Sequence, residues 1–322
     1  MKLEDVQCVS VLGSGTMGHG IAQNFAMAGY EVFLYDIDKT ILERALANVR
    51  TSLGRFADAG LIRNQDIEGI LSKIKITTDL KEAVERADFI TEATPEKIEL
   101  KQDIFKKLEE LCPKHAIIAT NTSSLTLTEI GAKTETKERL VITHYFNPPN
   151  IVPTVEVVKG EKTSDETIKL TVDLLEKVKK VPVVVNIELP GFVVNRIQMA
   201  LIREVLDLFD KGIASAEDID KAVKGSVGFR LASIGPILTV DFGGIDVWSA
   251  VATNLFPEIC SSPEPPAALI DLAAKDHKGV KSGKGFYDYG GGAKGLDVKV
   301  VTQKRDKEFI SRLKNLYWND IS

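Results

Sequence analysis

An apolar, β-branched run, Val6–Leu12, leads directly into Gly13-Ser14-Gly15-Thr16-Met17-Gly18, and a helix-spaced stretch (Ile21, Ala22, Phe25, Ala26) follows. Strand, glycine turn and helix in that order restrict the possible folds more than any other feature. The first glycine permits a tight turn, the second lets backbone approach a pyrophosphate, and the third allows close helix–strand packing. Phosphates then rest on the unpaired N–H groups and positive dipole end of the helix. A second strand ends in an acid, Val32-Phe33-Leu34-Tyr35-Asp36. A carboxylate there binds adenosine ribose hydroxyls and repels a 2′-phosphate. A bare turn requires neither the helix nor the acid. These residues therefore imply a dinucleotide site, NAD rather than NADP, with Gly13, Gly15, Thr16, Met17, Gly18 and Asp36 at the cofactor. No motif supports a flavin.

At 322 residues the chain exceeds what one hydrophobic core usually organises, so two domains are expected. The first half alternates short β-branched runs with longer amphipathic stretches, the pattern of βαβ units around a parallel sheet. Strands are predicted at Val6–Leu12, Val32–Tyr35, Ile74–Thr77, Phe89–Thr91, Ala116–Ala119, Val141–His144, Val155–Val158 and Val181–Val185. Residues 39–73 carry Ile41, Leu42, Ala45, Leu46 and Val49 at helical spacing, which predicts a helical pair turning near Ala59-Gly60. Leu189-Pro190-Gly191-Phe192 interrupts the pattern, and the text beyond it is mainly helical. The expected fold is α/β: a Rossmann-type doubly wound sheet with an inserted helical pair over residues 1–187, then an all-α substrate and dimerisation domain over residues 188–322. Residues 290–295 read as a flexible linker. Residues 304–320 read as a helix packed on a neighbour.

A formal net charge of −5 argues against a nucleic-acid binder, whose basic surplus neutralises phosphates. Cys8, Cys112 and Cys260 are too scattered for a disulfide framework or a zinc site, so no metal and a reducing compartment are expected. No uncharged apolar run approaches the roughly 20 residues of a membrane-crossing helix. A cytoplasmic protein with no membrane partner is the expectation. Apolar helical text at 193–209 and 234–251 exceeds what a small domain buries alone, which predicts a homodimer joined through the second domain.

In doubly wound folds the ligand lies beyond the C-terminal ends of the strands. Asn121-Thr122-Ser123-Ser124 follows one predicted strand there, and His144 closes the next, in Thr143-His144-Tyr145-Phe146-Asn147-Pro148-Pro149. Glu156 lies inside Thr154-Val155-Glu156-Val157-Val158, and alternation sets it on the face opposite Val155 and Val157. A carboxylate inside an apolar strand needs a partner. A histidine would serve, and the pair would supply an oriented general base. Among the four histidines, His19, His115 and His277 fall in helix-start or turn-like contexts, while His144 ends a core strand. The competing reading of His144 is a structural core histidine.

Asn121-Thr-Ser-Ser, His144-Tyr-Phe-Asn-Pro, Glu156 and Pro190-Gly-Phe-Val-Val-Asn195-Arg196 together resemble the L-3-hydroxyacyl-CoA dehydrogenase family. The resemblance runs from Val9 to about Tyr289, closing on Gly283-Lys-Gly-Phe-Tyr-Asp-Tyr289. It implies NAD-dependent oxidation of an (S)-3-hydroxyacyl-CoA of the 3-hydroxybutyryl type, in fatty acid metabolism. His144 would accept the hydroxyl proton while hydride leaves the same carbon for the nicotinamide. Glu156 would hold the imidazole, and Ser123 and Asn195 would hydrogen-bond the substrate or the histidine. The same matching puts Glu96, Lys101 and Asn121 at the cofactor and Ser52 at the substrate. As plain sequence, Glu96 is a helix-start acid after Pro95 and Lys101 a solvated helix face.

The resemblance departs at the coenzyme A grip, where family members place lysines near the serine and this chain reads Phe56-Ala57-Asp58-Ala59. Arg55 and Arg63 are the cations left to meet its phosphates. Asn147-Pro-Pro149, Val152-Pro153, Val227-Gly-Phe-Arg230, Ile234-Gly-Pro236 and the tail beyond Tyr289 are similar instead to the L-gulonate 3-dehydrogenase and lambda-crystallin branch. That branch implies a free hydroxy acid, with Arg196 and Arg230 as candidates for its carboxylate. A non-enzymatic NAD(H)-binding protein of the crystallin kind is the alternative outside enzymes.

Overall fold

The inner β-branched runs, such as Cys8–Leu12 and Leu140–Tyr145, bury residues on both of their sides, which only a sheet covered on both faces allows. All eight runs are strands in the computed structural model, which describes residues 1–290 and 295–318. They are β1 (Cys8–Leu12), β2 (Glu31–Tyr35), β3 (Ile74–Thr77), β4 (Phe89–Glu92), β5 (Ile117–Thr120), β6 (Leu140–Tyr145), β7 (Thr154–Val158) and β8 (Val181–Val185). One sheet holds them in the order β3-β2-β1-β4-β5-β6-β7-β8. Pairing is parallel from β3 through to β6, antiparallel between β6 and β7, and parallel between β7 and β8. Val9, Val11, Leu34 and Val155 pack into one core, whereas Leu12, Phe33, Ile90 and Ile142 pack into another. This is the expected Rossmann-type doubly wound sheet, and its strand order reverses between β1 and β4, where such folds bind ligands.

Asp38 caps the helix Lys39–Asp58 by accepting the Thr40 N–H, and Gly60, at φ 70°, ends it. The second member of the expected pair is shorter than its sequence suggests. It is a 3₁₀ turn, Asn64–Asp66, followed by the five-residue helix Ile67–Leu71, because the Arg63–Asp66 ion pair closes a turn and the chain re-enters the sheet at Ile74.

Contacts divide the chain into two units, each described by itself. The first holds Met1–Asn195 and the chain from Asp306 onward, and the second holds Arg196–Arg305. The expected boundary near Ile187 thus falls before residues that stay with the first unit. Glu188 accepts the Leu127 N–H there, and Glu156 accepts those of Val193 and Val194. The expected tail helix forms as Val298–Leu313, and it returns to the first unit through Ile310 and Leu313, which bury with Phe56 and Ile151. The Trp318 ring lies 5.9 Å from that of Phe56. Residues 291–294 of the expected linker, and 319 and 320 of the expected tail helix, lie outside the described residues.

The second unit includes the helices Ala216–Ala222, Pro236–Gly243, Ile245–Leu255 and Ala267–Ala274. Leu206 and Ile219 are buried there, while Ile237 and Phe242 are each 78% exposed. Among the described residues no helix is long and apolar enough to cross a membrane.

Candidate active site

Gly13 makes the turn after β1 at φ 91°, and a Cβ on it would lie 2.6 Å from the Ala93 carbonyl oxygen. On Gly18 a Cβ would lie 1.7 Å from the Gly13 oxygen, so glycine alone lets the helix Gly18–Met27 start this close to the strand. A Cβ on Gly15 would meet nothing within 4 Å, which leaves the approach to the loop open for a ligand. Asp36 stands beside this loop, its Oδ2 accepting from the Ser14 N–H at 2.8 Å and the Ser14 hydroxyl at 2.9 Å. A tight turn, an open approach and a fixed carboxylate together fit the pyrophosphate and ribose of a dinucleotide.

Beyond β4 and β5, one buried network organises the Asn121–Ser124 loop. Lys101 is 1% exposed, not a solvated helix face. Its Nζ donates to both oxygens of buried Glu92, at 2.9 and 3.0 Å, and lies 3.4 Å from Glu96. Glu92 also accepts the Thr94 and Thr120 hydroxyls, each at 2.6 Å. Glu96 Oε1 in turn collects the Thr122 hydroxyl at 2.5 Å, the Ser123 N–H at 3.0 Å and the Ser124 hydroxyl at 3.0 Å. Burial opposes the Glu96 charge. The bonds from Thr122, Ser123 and Ser124 and the Lys101 ammonium outweigh it, holding its carboxyl below the ordinary value. Asn121 links this loop to β6, its Oδ1 accepting the Tyr145 N–H at 2.8 Å.

Register brings the acid and base together: β6 and β7 are antiparallel, with His144 opposite Glu156. His144 Nδ1 lies 2.8 Å from Glu156 Oε2, and both side chains are buried. The other carboxylate oxygen, Oε1, accepts the Val193 and Val194 N–H groups, both at 2.8 Å. Burial works against the Glu156 charge, but the bonds from His144, Val194 and Val193 prevail and its carboxyl lies below the ordinary value. Phe146 and Phe192 set ring centroids 4.5 and 5.6 Å from the imidazole. Asn195 Nδ2 donates to the Ser123 carbonyl at 3.4 Å, which joins those two candidate residues beside each other.

Ser52 joins a different group, its Oγ accepting from Asn150 Nδ2 at 2.7 Å. Neither candidate cation for a nucleotide handle is unpaired. Arg55 lies 2.6 Å from Asp306, and Arg63 lies 2.7 Å from Asp66. Lys314 also donates to the Ala59 carbonyl at 3.1 Å. Sequence reasoning missed Glu92, Ser14 and the two phenylalanines. The argument that singled out Glu156, an acid within an apolar strand, applies equally to Glu92, but the predicted strand stopped at Thr91. Ser14 and Phe192 sit inside motifs whose other positions drew the attention, and no sequence signal sets them apart.

The profile of the 3-hydroxyacyl-CoA dehydrogenase NAD binding domain matches residues 8–188, and that of the 3-hydroxyacyl-CoA dehydrogenase C-terminal domain matches residues 191–289. The chain is 32% identical to 5-formyl-3-hydroxy-2-methylpyridine 4-carboxylate 5-dehydrogenase of Mesorhizobium japonicum, over 88% of this chain and 91% of the relative. It is 36% identical to a probable 3-hydroxybutyryl-CoA dehydrogenase of Bacillus subtilis, over 88% of this chain and 98% of that one. A solved structure of the pyridine-carboxylate dehydrogenase, described as an NAD+ dependent dismutase, superposes with a TM-score of 0.87 at 29% identity, covering 96% of this chain and 98% of its own. For the (S)-3-hydroxybutyryl-CoA dehydrogenase of Ralstonia eutropha the TM-score is 0.73 at 34% identity, over 88% and 99% of the two chains. With the glycine turn in the first matched segment and the Pro190–Arg196 motif opening at the second, this NAD-binding chain belongs to the 3-hydroxyacyl-CoA dehydrogenase family.

Proposed function

We propose that this protein is an NAD-dependent dehydrogenase that oxidises a hydroxyl-bearing carbon of a small free carboxylic acid, or runs the reverse reduction, as a homodimer. The buried His144–Glu156 pair carries the chemistry. An ionised carboxylate only accepts hydrogen bonds, so Nδ1 keeps its proton and Nε2 presents the lone pair. Nε2 takes the substrate hydroxyl proton as hydride departs from the same carbon. Bound NAD+ supplies the hydride acceptor. Glu156 steadies the imidazolium that forms, and its own charge is held by the Val193 and Val194 N–H groups. Ser123 and Asn195 supply hydrogen bonds to the substrate oxygens. Glu96, Lys101 and Asn121 act beside them by shaping the loop at the cofactor end of β5. Retention of a buried base and its carboxylate speaks against a purely structural NAD(H) binder.

The substrate class rests on what surrounds Arg55. A coenzyme A handle needs cations for its phosphates. Arg55 instead neutralises buried Asp306, and the chain from Asp306 covers Phe56 and reaches Ala59, where the family's lysines would stand. Support comes also from the pyridine-carboxylate dehydrogenase, named for a free acid, whose structure matches this chain nearly end to end. The 3-hydroxybutyryl-CoA dehydrogenases are spanned almost completely by 88% of this chain. The reading implied by the sequence resemblance, a 3-hydroxyacyl-CoA, is favoured by Asn121-Thr-Ser-Ser and by the Bacillus relative.

Paired kinetics with NAD+ decide between them, using 3-hydroxybutyryl-CoA against free acids such as L-gulonate, 3-hydroxybutyrate and a hydroxymethyl-pyridine carboxylate. A higher kcat/KM on a free acid is expected. The opposite order restores the acyl-CoA reading, and absence of NADH formation with every substrate removes the dehydrogenase reading. The homodimer reading is supported by the exposed apolar helices Pro236–Gly243 and Ile245–Leu255.

A further inference from the structure

Gly191 and Phe192 both hold positive φ, 79° and 48°. Glycine adopts that region freely, whereas a bulky residue there is an outlier that the surroundings have to impose. The surroundings here are apolar and close-packed. Phe192 is 1% exposed and belongs to the core that includes Leu127, Ile142 and Val158. The left-handed pair turns the backbone so that the next two N–H groups, of Val193 and Val194, converge on Glu156 Oε1 at 2.8 Å each. The ring of Phe192 stands edge-on to the imidazole at 5.6 Å, with Phe146 at 4.5 Å. One residue thus touches both halves of the pair, the carboxylate through the backbone that follows it and the histidine through its ring.

We propose that Phe192 is a positioning residue for the base: its left-handed backbone clamps Glu156, and its ring confines the imidazole so that Nε2 keeps one aim. This rests on the reading of His144 as general base given above, and it adds a role that the family motif does not assign by itself. Held from both sides, the His144–Glu156 bond cannot swing when the imidazole becomes charged. Misplacing a reacting group by about 1 Å costs on the order of 100-fold in rate.

Three variants separate the ring from the turn. Phe192→Gly keeps the left-handed turn without the ring, Phe192→Ala removes the ring, and Phe192→Leu retains apolar bulk. Turnover is measured on whichever substrate the unmodified protein accepts, and NADH affinity by fluorescence titration. The downfield proton resonance of the His144 Nδ1–H on Glu156 is followed by NMR. Phe192→Ala and Phe192→Gly are expected to lower kcat by about 10- to 100-fold with KM and NADH affinity unchanged, and to broaden or shift the resonance. Phe192→Leu is expected to restore most of both. Unmodified kcat and resonance in Phe192→Gly would overturn the proposal, and so would loss of NADH binding together with turnover in all three variants. The resonance needs no substrate, so it judges the positioning role even where the proposed reaction fails: an unchanged signal in Phe192→Ala and Phe192→Gly refutes it.

Discussion

In the first unit the inner strands find cover on both faces from the chain's own helices, and Phe89 and Phe105 reach full burial. In the second, the helices Pro236–Gly243 and Ile245–Leu255 leave Ile237, Phe242 and Ile245 two-thirds or more exposed. Both regions are rich in apolar residues, and the difference lies in geometry. A sheet presents two faces that crossover helices cover, whereas a helix rich in apolar residues needs a neighbour against each apolar side. The first unit therefore builds its own core and holds both members of the His144–Glu156 pair. The second offers apolar surface of the kind that a second copy of the chain would cover.

The largest effect expected from that contrast is catalytic and belongs to the first unit alone. His144→Gln should lower kcat by about 10²–10⁴-fold, the usual worth of a positioned base, while NADH affinity stays unchanged. Retained turnover would remove His144 from the chemistry. Stability should divide the units next. Phe89→Ala, in a fully buried site, should cost about 3–5 kcal/mol in urea unfolding. Phe242→Ala should stay within about 0.5 kcal/mol for the isolated chain, yet Phe242→Asp should shift sedimentation from dimer to monomer. Equal unfolding costs for Phe89→Ala and Phe242→Ala, or an unmodified protein that sediments as a monomer, would break the comparison.

Smaller effects sharpen the account of the first unit. Asp36→Ala should weaken NADH binding and narrow its preference over NADPH by about tenfold, near 1.4 kcal/mol; an undiminished preference would assign the discrimination elsewhere. The pH dependence of stability should carry the signature of Lys180. This residue is buried with its Nζ on the Pro149 and Val152 carbonyls, at 2.6 and 3.0 Å, and burial pushes its ammonium down to about 7. Below about 7 the group is charged in both folded and unfolded chains, and the cost of burial is complete. Between there and the ordinary lysine value of about 10.4 the unfolded chain binds more protons, so stability rises with pH. The slope is at most about 1.4 kcal/mol per pH unit, one proton's worth. Urea unfolding at stepped pH measures it, and Lys180→Met should flatten it.

Much of this was readable in advance for a stated reason. Strand alternation and the glycine turn are local, so eight runs and the loop at Gly13 declare themselves within a few residues. The pairing of His144 with Glu156 was legible because an acid within Val155–Val158 has few tolerable fates. Lys101 defeated the same approach. Helical spacing leaves its face ambiguous, and only the fold brings Glu92 beneath it. The helical pair came out shorter than its pattern because the Arg63–Asp66 turn competes locally with helix.

By itself, then, the sequence determined the sheet, the dinucleotide turn, the acid at Asp36 and the residue types of the base pair, all consequences of short-range periodicity and of the cost of burying charge. Only the tertiary structure decided which charges meet. Arg55 stands 251 positions from Asp306 along the chain yet pairs with it, and Val193 and Val194 reach Glu156 from 37 and 38 positions away. Such pairings depend on how the chain closes its loops, and no local pattern encodes the partner of a charge that distant.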